Sequence, residues 1–273
     1  MTASPFARLM GPASIWWLIA LLVVATLIFR RFPALDIETA RLFTDENGFS
    51  LAYDATLRAI RRASINLTKI LVPTLLLLWI YRLLRPQRNE RISFAKIAFP
   101  TAALLAGPVL ITNLILKENW GRPRPRALEE FGGDAHFILP WDLSDQCASN
   151  CSFVAGETSS AIWLLTLIPL LPLAWHARAL WVIAAYTLVI SGLRIAFGGH
   201  FLSDVAFSIL LNLMAFWLTW GLFFKRTARI SEQDWANETR REGAFRTWGG
   251  PLRTLIRKAS LVSRALMDKV RQP

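Results

Sequence analysis

Arg194, His200 and Asp204 stand close together in the chain, with five residues in the first gap and three in the second. The stretch lies where two apolar runs meet, one ending near Phe197 and the next starting at Phe201, with Gly198 and Gly199 as the break. If the second run is helical back to His200, then His200 and Asp204 stand at i and i+4. The carboxylate then holds one ring nitrogen while the other faces outward. Arg194, in the last turn of the preceding run, sets a fixed positive charge beside them. A histidine, its carboxylate partner and a guanidinium at a helix N-terminus suit an anion, because the free backbone N–H groups and the helix dipole favour negative charge there too. Phosphate is the expected ligand. The bland alternative is an arginine snorkelling to lipid beside a structural His–Asp hydrogen bond.

A second basic group lies upstream, in the run Lys-Glu-Asn-Trp-Gly-Arg-Pro-Arg-Pro-Arg that contains Lys117, Arg122, Arg124 and Arg126. Pro123 and Pro125 stiffen this backbone and so fix where Arg124 points. Residues 156–160, Gly-Glu-Thr-Ser-Ser, give an apolar run a polar start, and a charged Glu157 there signals function. Cys147 and Cys151 are the only cysteines. Their spacing and the lack of a second pair argue against a structural zinc site, whereas an oxidising compartment would let them close a small disulfide. Asp134, Asp142 and Asp145 do not have the spacing of a calcium loop. Neither a metal nor a cofactor is expected.

The elements that must position these groups are membrane spans. With 54% hydrophobic residues, 12 Trp and 17 Phe among 273, and a mean hydropathy of +0.38, the chain is too apolar for an ordinary soluble domain. The expectation is an all-α polytopic membrane protein with six transmembrane helices in a bundle. The spans fall at residues 14–29, 67–84, 97–116, 155–175, 179–197 and 201–224, with an interfacial helix over 36–66 between the first two. Pro100 and Pro108 in the third are tolerated where neighbouring helices satisfy freed backbone groups. Residues 1–226 form the membrane domain, and 227–273 a basic amphipathic tail. The formal charge of +12 sits mostly in loops and tail, where it meets anionic lipid headgroups; no loop interleaves basic and aromatic residues as a nucleic-acid platform does. The basic loop from Arg85 to Lys96 is placed in the cytoplasm by the positive-inside rule, which puts both termini inside and the Lys117 and Gly198 loops outside.

Lys-x6-Arg-Pro (Lys117, Arg124, Pro125) followed by Arg-x5-His-x3-Asp (Arg194, His200, Asp204) resembles the first and third signature motifs of the type 2 phosphatidic acid phosphatase superfamily. The likeness covers residues 67–224 and extends to the six spans of its membrane branch. It implies a metal-independent phosphatase acting on a phosphorylated membrane lipid at the periplasmic face of a bacterial inner membrane. His200 would be the nucleophile, forming a phosphohistidine held by Asp204, and Lys117, Arg124 and Arg194 would bind the phosphoryl oxygens. The middle motif departs. The family's Pro-Ser-Gly-His is here Val154-Ala155-Gly156-Glu157, so Glu157 must replace the acid if desolvation keeps it protonated. Ala155 cannot replace the hydroxyl, a loss of roughly 1.5–3 kcal/mol in anion binding, and leaves its own backbone N–H and that of Gly156 to serve the phosphate. Asn119, Trp120, Arg122 and Arg126 are expected at the substrate headgroup. The pattern is similar to bacterial lipid A 1-phosphatases, which implies that activity ahead of undecaprenyl pyrophosphate or phosphatidylglycerophosphate hydrolysis, phosphotransfer to another lipid, or silent lipid binding.

Overall fold

The computed structural model describes residues 5–84 and 94–225. The basic stretch 85–93 and the tail 227–273 lie outside them. Among the described residues there is no strand, only two isolated bridges, and the elements are helical. In chain order they are α1 (Pro5–Leu9), α2 (Ser14–Arg31), α3 (Ala34–Arg41), α4 (Ala55–Leu84), α5 (Phe94–Leu104), α6 (Gly156–Trp163), α7 (His176–Ala196) and α8 (Leu202–Trp220). α5 winds on in wider π turns over Leu105–Lys117. Among the described residues, five stretches are long and apolar enough to cross a membrane: Ser14–Arg31, Ala55–Tyr81, Ala95–Lys117, Leu173–Ala196 and Leu202–Phe224.

Residues 155–175, expected as a further span, are not one continuous helix. The two turns of α6 pass into tighter 3-10 turns over Leu164–Leu170 and Leu173–Trp175. Pro169 and Pro172 remove backbone donors there and forbid a regular continuation. Ala161, Ile162, Trp163, Leu165 and Ile168 are buried, so this segment is enclosed by its neighbours. The interfacial helix expected over 36–66 is divided. α3 folds against α7 and α8 with Asp36 buried, and a loop then leads to Asp54, which starts α4. Asp54 Oδ1 accepts the Leu57 N–H at 2.7 Å and its carbonyl accepts the Arg58 N–H at 3.1 Å, as an N-cap does. With that cap, and with nothing but Pro73 to interrupt it, α4 runs on to Leu84. The second span therefore begins at Ala55, not Leu67.

Among the described residues, two larger apolar clusters occupy the bundle. One gathers Phe6 and Met10 from the N-terminal segment with Phe99, Trp163, Ile168 and Phe216, and the Phe6 ring meets that of Trp220 edge-on at 5.3 Å. The carbonyls of the prolines themselves accept side-chain donors: Trp163 Nε1 donates to that of Pro100 at 2.9 Å, and Asn113 Nδ2 to that of Pro108 at 2.7 Å. The other cluster joins Phe29, Phe153 and Phe207, with Trp141 lying edge-on to Phe153 at 4.9 Å. It anchors the loop between α5 and α6 on the bundle, and that loop carries half of the site.

Candidate active site

α7 ends at Ala196, and the chain reverses through Gly198, whose φ of 58° favours glycine. The Arg194 carbonyl accepts the N–H groups of Gly199 at 3.0 Å and His200 at 3.2 Å, tying the turn back onto the helix. A Cβ on Gly198 would lie 2.5 Å from the Phe49 ring, and one on Gly199 2.4 Å from Arg194 Nη2. One glycine makes the turn; the other makes room for the guanidinium.

His200 precedes α8 instead of lying in it, so the expected direct bond to Asp204 is not made. Nδ1 stands 3.8 Å from Asp204 Oδ2 and 2.6 Å from the carbonyl oxygen of Ser152. A carbonyl only accepts, so Nδ1 carries the proton and Nε2 holds the lone pair. Burial, against the pull of Asp204, pushes the pKa of His200 down to about 4, which leaves the ring neutral at pH 7. Asp204 acts at one remove: its Oδ2 accepts the Ser152 hydroxyl at 2.5 Å and the Phe201 N–H at 2.9 Å.

Lys117 Nζ donates to Asn150 Oδ1 and Arg124 Nη2 to the Asn150 carbonyl, each at 2.7 Å. Asn150 sits at φ 50° in a small loop closed by a Cys147–Cys151 disulfide, and the Cys151 N–H returns to the Lys117 carbonyl at 3.2 Å. Arg194 is buried, and its Nε has no hydrogen-bond partner although Glu157 Oε1 lies 3.3 Å away. The charges of Lys117, Arg124, Arg194, Glu157 and His200 act on one another across this space. Burial, then Arg126 and Arg61, lowers the pKa of Arg124 against the opposing pull of Glu157 and Asp204. An anion relieves such crowding.

Glu157 is largely buried, but it is not the unpaired acid that desolvation would keep protonated. Arg61 Nε reaches both its oxygens at 3.0 Å and Arg61 Nη2 reaches Oε1 at 2.6 Å, so it sits between two guanidiniums, a setting that stabilises a carboxylate. Ala155 packs its methyl with Ile195 and Val205, and its N–H, expected to be free for phosphate, donates to the Asp204 carbonyl at 3.3 Å. Gly156 lies against Lys117, whose Cε would be 3.3 Å from an added Cβ. Of the four headgroup residues, only Arg126 and Asn119 are exposed, and the Asn119 amide is taken by the Leu114 and Ile115 carbonyls at 3.0 and 2.7 Å. Trp120 packs its ring on Trp141 and Phe153. Arg122 cannot meet a headgroup at all. It is fully buried, giving Nη1 to Asp204 Oδ1 at 2.6 Å, Nη2 to Asp36 Oδ2 at 2.8 Å and Nε to the Ile138 carbonyl at 2.8 Å.

Four participants escaped the sequence reading: Arg61, Asn150, Ser152 and Asp36. Arg61 shares a helical stretch with Arg58 and Arg62 that looks like headgroup contact, and Asn150 and Ser152 are ordinary loop residues. Only Asp36, a carboxylate next to an apolar span, carried a signal.

A profile of the PAP2 superfamily matches residues 94–228. Lipid A 4'-phosphatases of Rhizobium etli and Rhizobium leguminosarum are each 35% identical to the chain over 219 residues, which cover 74% of it and 81% and 90% of their own lengths. The lipid A 4'-phosphatase of Francisella tularensis subsp. novicida is 37% identical over 135 residues, 48% of this chain and 59% of its own. No solved structure matches. Relatives this similar over most of their length, together with motifs that fold to one place, put the chain in the PAP2 superfamily, as a multi-pass bacterial membrane protein and a lipid phosphatase.

Proposed function

We propose that this protein removes a phosphate from lipid A through a phosphohistidine on His200, without a metal ion, at the periplasmic face of the inner membrane. The observation that carries the reading is a neutral imidazole with Nδ1 spoken for, set among the cations Lys117, Arg124 and Arg194. The names of the relatives favour the 4'-phosphate over the 1-phosphate suggested by the middle motif. The basic composition of residues 85–93, read by the positive-inside rule, supports the orientation.

In this mechanism Nε2 of His200 attacks phosphorus in line, and Lys117, Arg124 and Arg194 stabilise the equatorial oxygens. The bond to the lipid oxygen breaks as that oxygen takes a proton from Glu157. Glu157 begins as a carboxylate and has drawn the proton from the phosphate monoanion as the substrate engages its arginine partners. Water then attacks phosphorus and gives a proton to Glu157, the N–P bond breaks to leave His200 neutral, and phosphate takes the proton from Glu157 as it departs, which restores the carboxylate. Arg126 and Asn119 lie where a headgroup arrives.

The test is phosphate release by the purified protein in detergent with chelator present, from lipid A carrying only a 1-phosphate or only a 4'-phosphate, with His200→Ala as control. Release from the 4'-species alone, lost with His200, is expected. Release from the 1-species alone would overturn the position, and release abolished by chelator the metal independence. No release from either would overturn the enzyme.

A further inference from the structure

Asp36 belongs to α3, outside residues 94–228 that match the superfamily, yet both its oxygens are committed to the catalytic side of the molecule. Oδ1 accepts the Ser203 N–H at 2.8 Å. Oδ2 accepts the Ser203 hydroxyl at 2.5 Å and Arg122 Nη2 at 2.8 Å. Arg122 Nη1 goes on to Asp204 Oδ1 at 2.6 Å and Ser203 Oγ at 2.9 Å. The guanidinium lies over the Phe201 ring, 4.3 Å from its centroid, and 5.3 Å from that of Phe137. Asp36, Arg122, Ser203 and Asp204 are all buried, so no bulk water replaces a lost partner.

Resting on the phosphatase reading, we infer that Asp36 is a positioning residue for the reaction: with Arg122 and Ser203 it fixes Asp204, and through Asp204 and Ser152 it fixes the ring of His200. Two carboxylates share one guanidinium from opposite sides, and the first turn of α8 is clamped between them. Without Asp36, Arg122 keeps its charge and its bonds to Ile138 and Asp204 but loses the partner at Nη2 that opposes Asp204, and the Asp204 carboxylate is free to turn with it. Asp204 then no longer holds the Ser152 hydroxyl where the Ser152 carbonyl meets Nδ1. A buried ion pair that served stability alone would not need to be joined, bond by bond, to the nucleophile.

Asp36→Asn isolates this role. Each Asp36 oxygen meets only donors, so the amide NH2 must face one of them and the clamp opens without loss of volume. For the full chain in detergent, kcat for phosphate release from lipid A is expected to fall about 10- to 100-fold, with KM within about threefold because Lys117, Arg124 and Arg194 are untouched. Asp36→Asn combined with Arg122→Gln should be no slower than Arg122→Gln alone, since both act through one clamp. The His200 Nδ1–H proton resonance, which needs no substrate, should shift or broaden in Asp36→Asn. Wild type run in parallel separates the two readings: a wild type inactive on every lipid sinks the phosphatase reading, and the resonance still decides the clamp. A kcat within twofold of wild type, a loss confined to KM or to the unfolding midpoint, or an unmoved resonance would overturn the inference. If Asp36→Asn does not fold, Ser203→Ala, which removes one hydroxyl from the clamp, carries the same readouts with a smaller expected loss.

Discussion

Gly199→Ala changes the site by one methyl group at a place where its direction of action is known. The added Cβ would stand 2.4 Å from Arg194 Nη2 and 2.8 Å from Cζ, while the nearest backbone atom, the Arg194 carbonyl oxygen, is at 3.2 Å. Gly199 is not in the left-handed region, as Gly198 is, so alanine pays no backbone strain and the conflict is with the guanidinium. Restoring an ordinary contact of about 3.5 Å moves the guanidinium by ~1 Å. Arg194 is buried with Glu157 3.3 Å from its Nε, so it has no solvent to swing into. A phosphoryl ligand displaced by this much is expected to cost about 10- to 100-fold in kcat/KM, roughly 1.4–2.7 kcal/mol of transition-state stabilisation. The assay is initial-rate phosphate release in detergent, with the thermal midpoint recorded for each variant. Gly192→Ala, in the helix that carries Arg194 and with nothing within 4 Å of the added atom, is the control and should keep full activity. A Gly199→Ala enzyme with kcat/KM within threefold of wild type would show that the position of Arg194 does not limit turnover, and the reasoning would fail.

Glu157→Gln should slow lipid hydrolysis at least tenfold more than hydrolysis of an aryl phosphate, whose leaving group needs no proton; equal losses would reduce Glu157 to a partner of Arg61 and Arg194. Reducing the Cys147–Cys151 disulfide, or replacing both cysteines by serine, should raise KM several-fold, because Asn150 loses its station against Lys117 and Arg124, and lower stability by about 2 kcal/mol from loop entropy; an unchanged KM argues against it. His200, with its pKa near 4, should stay neutral throughout the neutral range, and an NMR titration midpoint at or above the ordinary 6.5 would contradict its burial. The sign for stability follows: between pH 6.5 and 4 the unfolded chain binds a proton that the folded ring refuses, so this residue makes the fold less stable as pH falls through that window.

The charged residues at the ends of apolar runs were legible from the sequence, because hydropathy delimits spans and topology then sorts their ends onto one face. Lys117, Arg124, Arg194, His200 and Asp204 came together on that basis. Side-chain partners within the face were not legible. The i,i+4 rule paired His200 with Asp204 only if the helix reached back to His200, and it begins at Leu202. Arg122 differs from Arg124 and Arg126 by no local feature. What separates them is that Arg122 meets Asp36, a contact across 86 positions in the chain. The boundary of α4 was missed for a different reason: Asp54 is a capping residue, but the mixed charge that follows it masked a helix continuous with the apolar run. The prolines at 169 and 172 were in plain view and still did not reveal how a short, enclosed α6 could stand beside five longer helices.

Ser152 offers its N–H to the Arg122 carbonyl, its hydroxyl to Asp204 and its carbonyl to His200. The last of these belongs to the main chain, so the imidazole tautomer is selected by a group with no protonation state of its own and no side chain to lose. Substitution at 152 would keep an oxygen in the main chain but break the tie to Asp204 that sets where that oxygen stands. The direction in which the nucleophile faces is thereby written into the path of a loop, and the clamp on Asp204 holds that path in place.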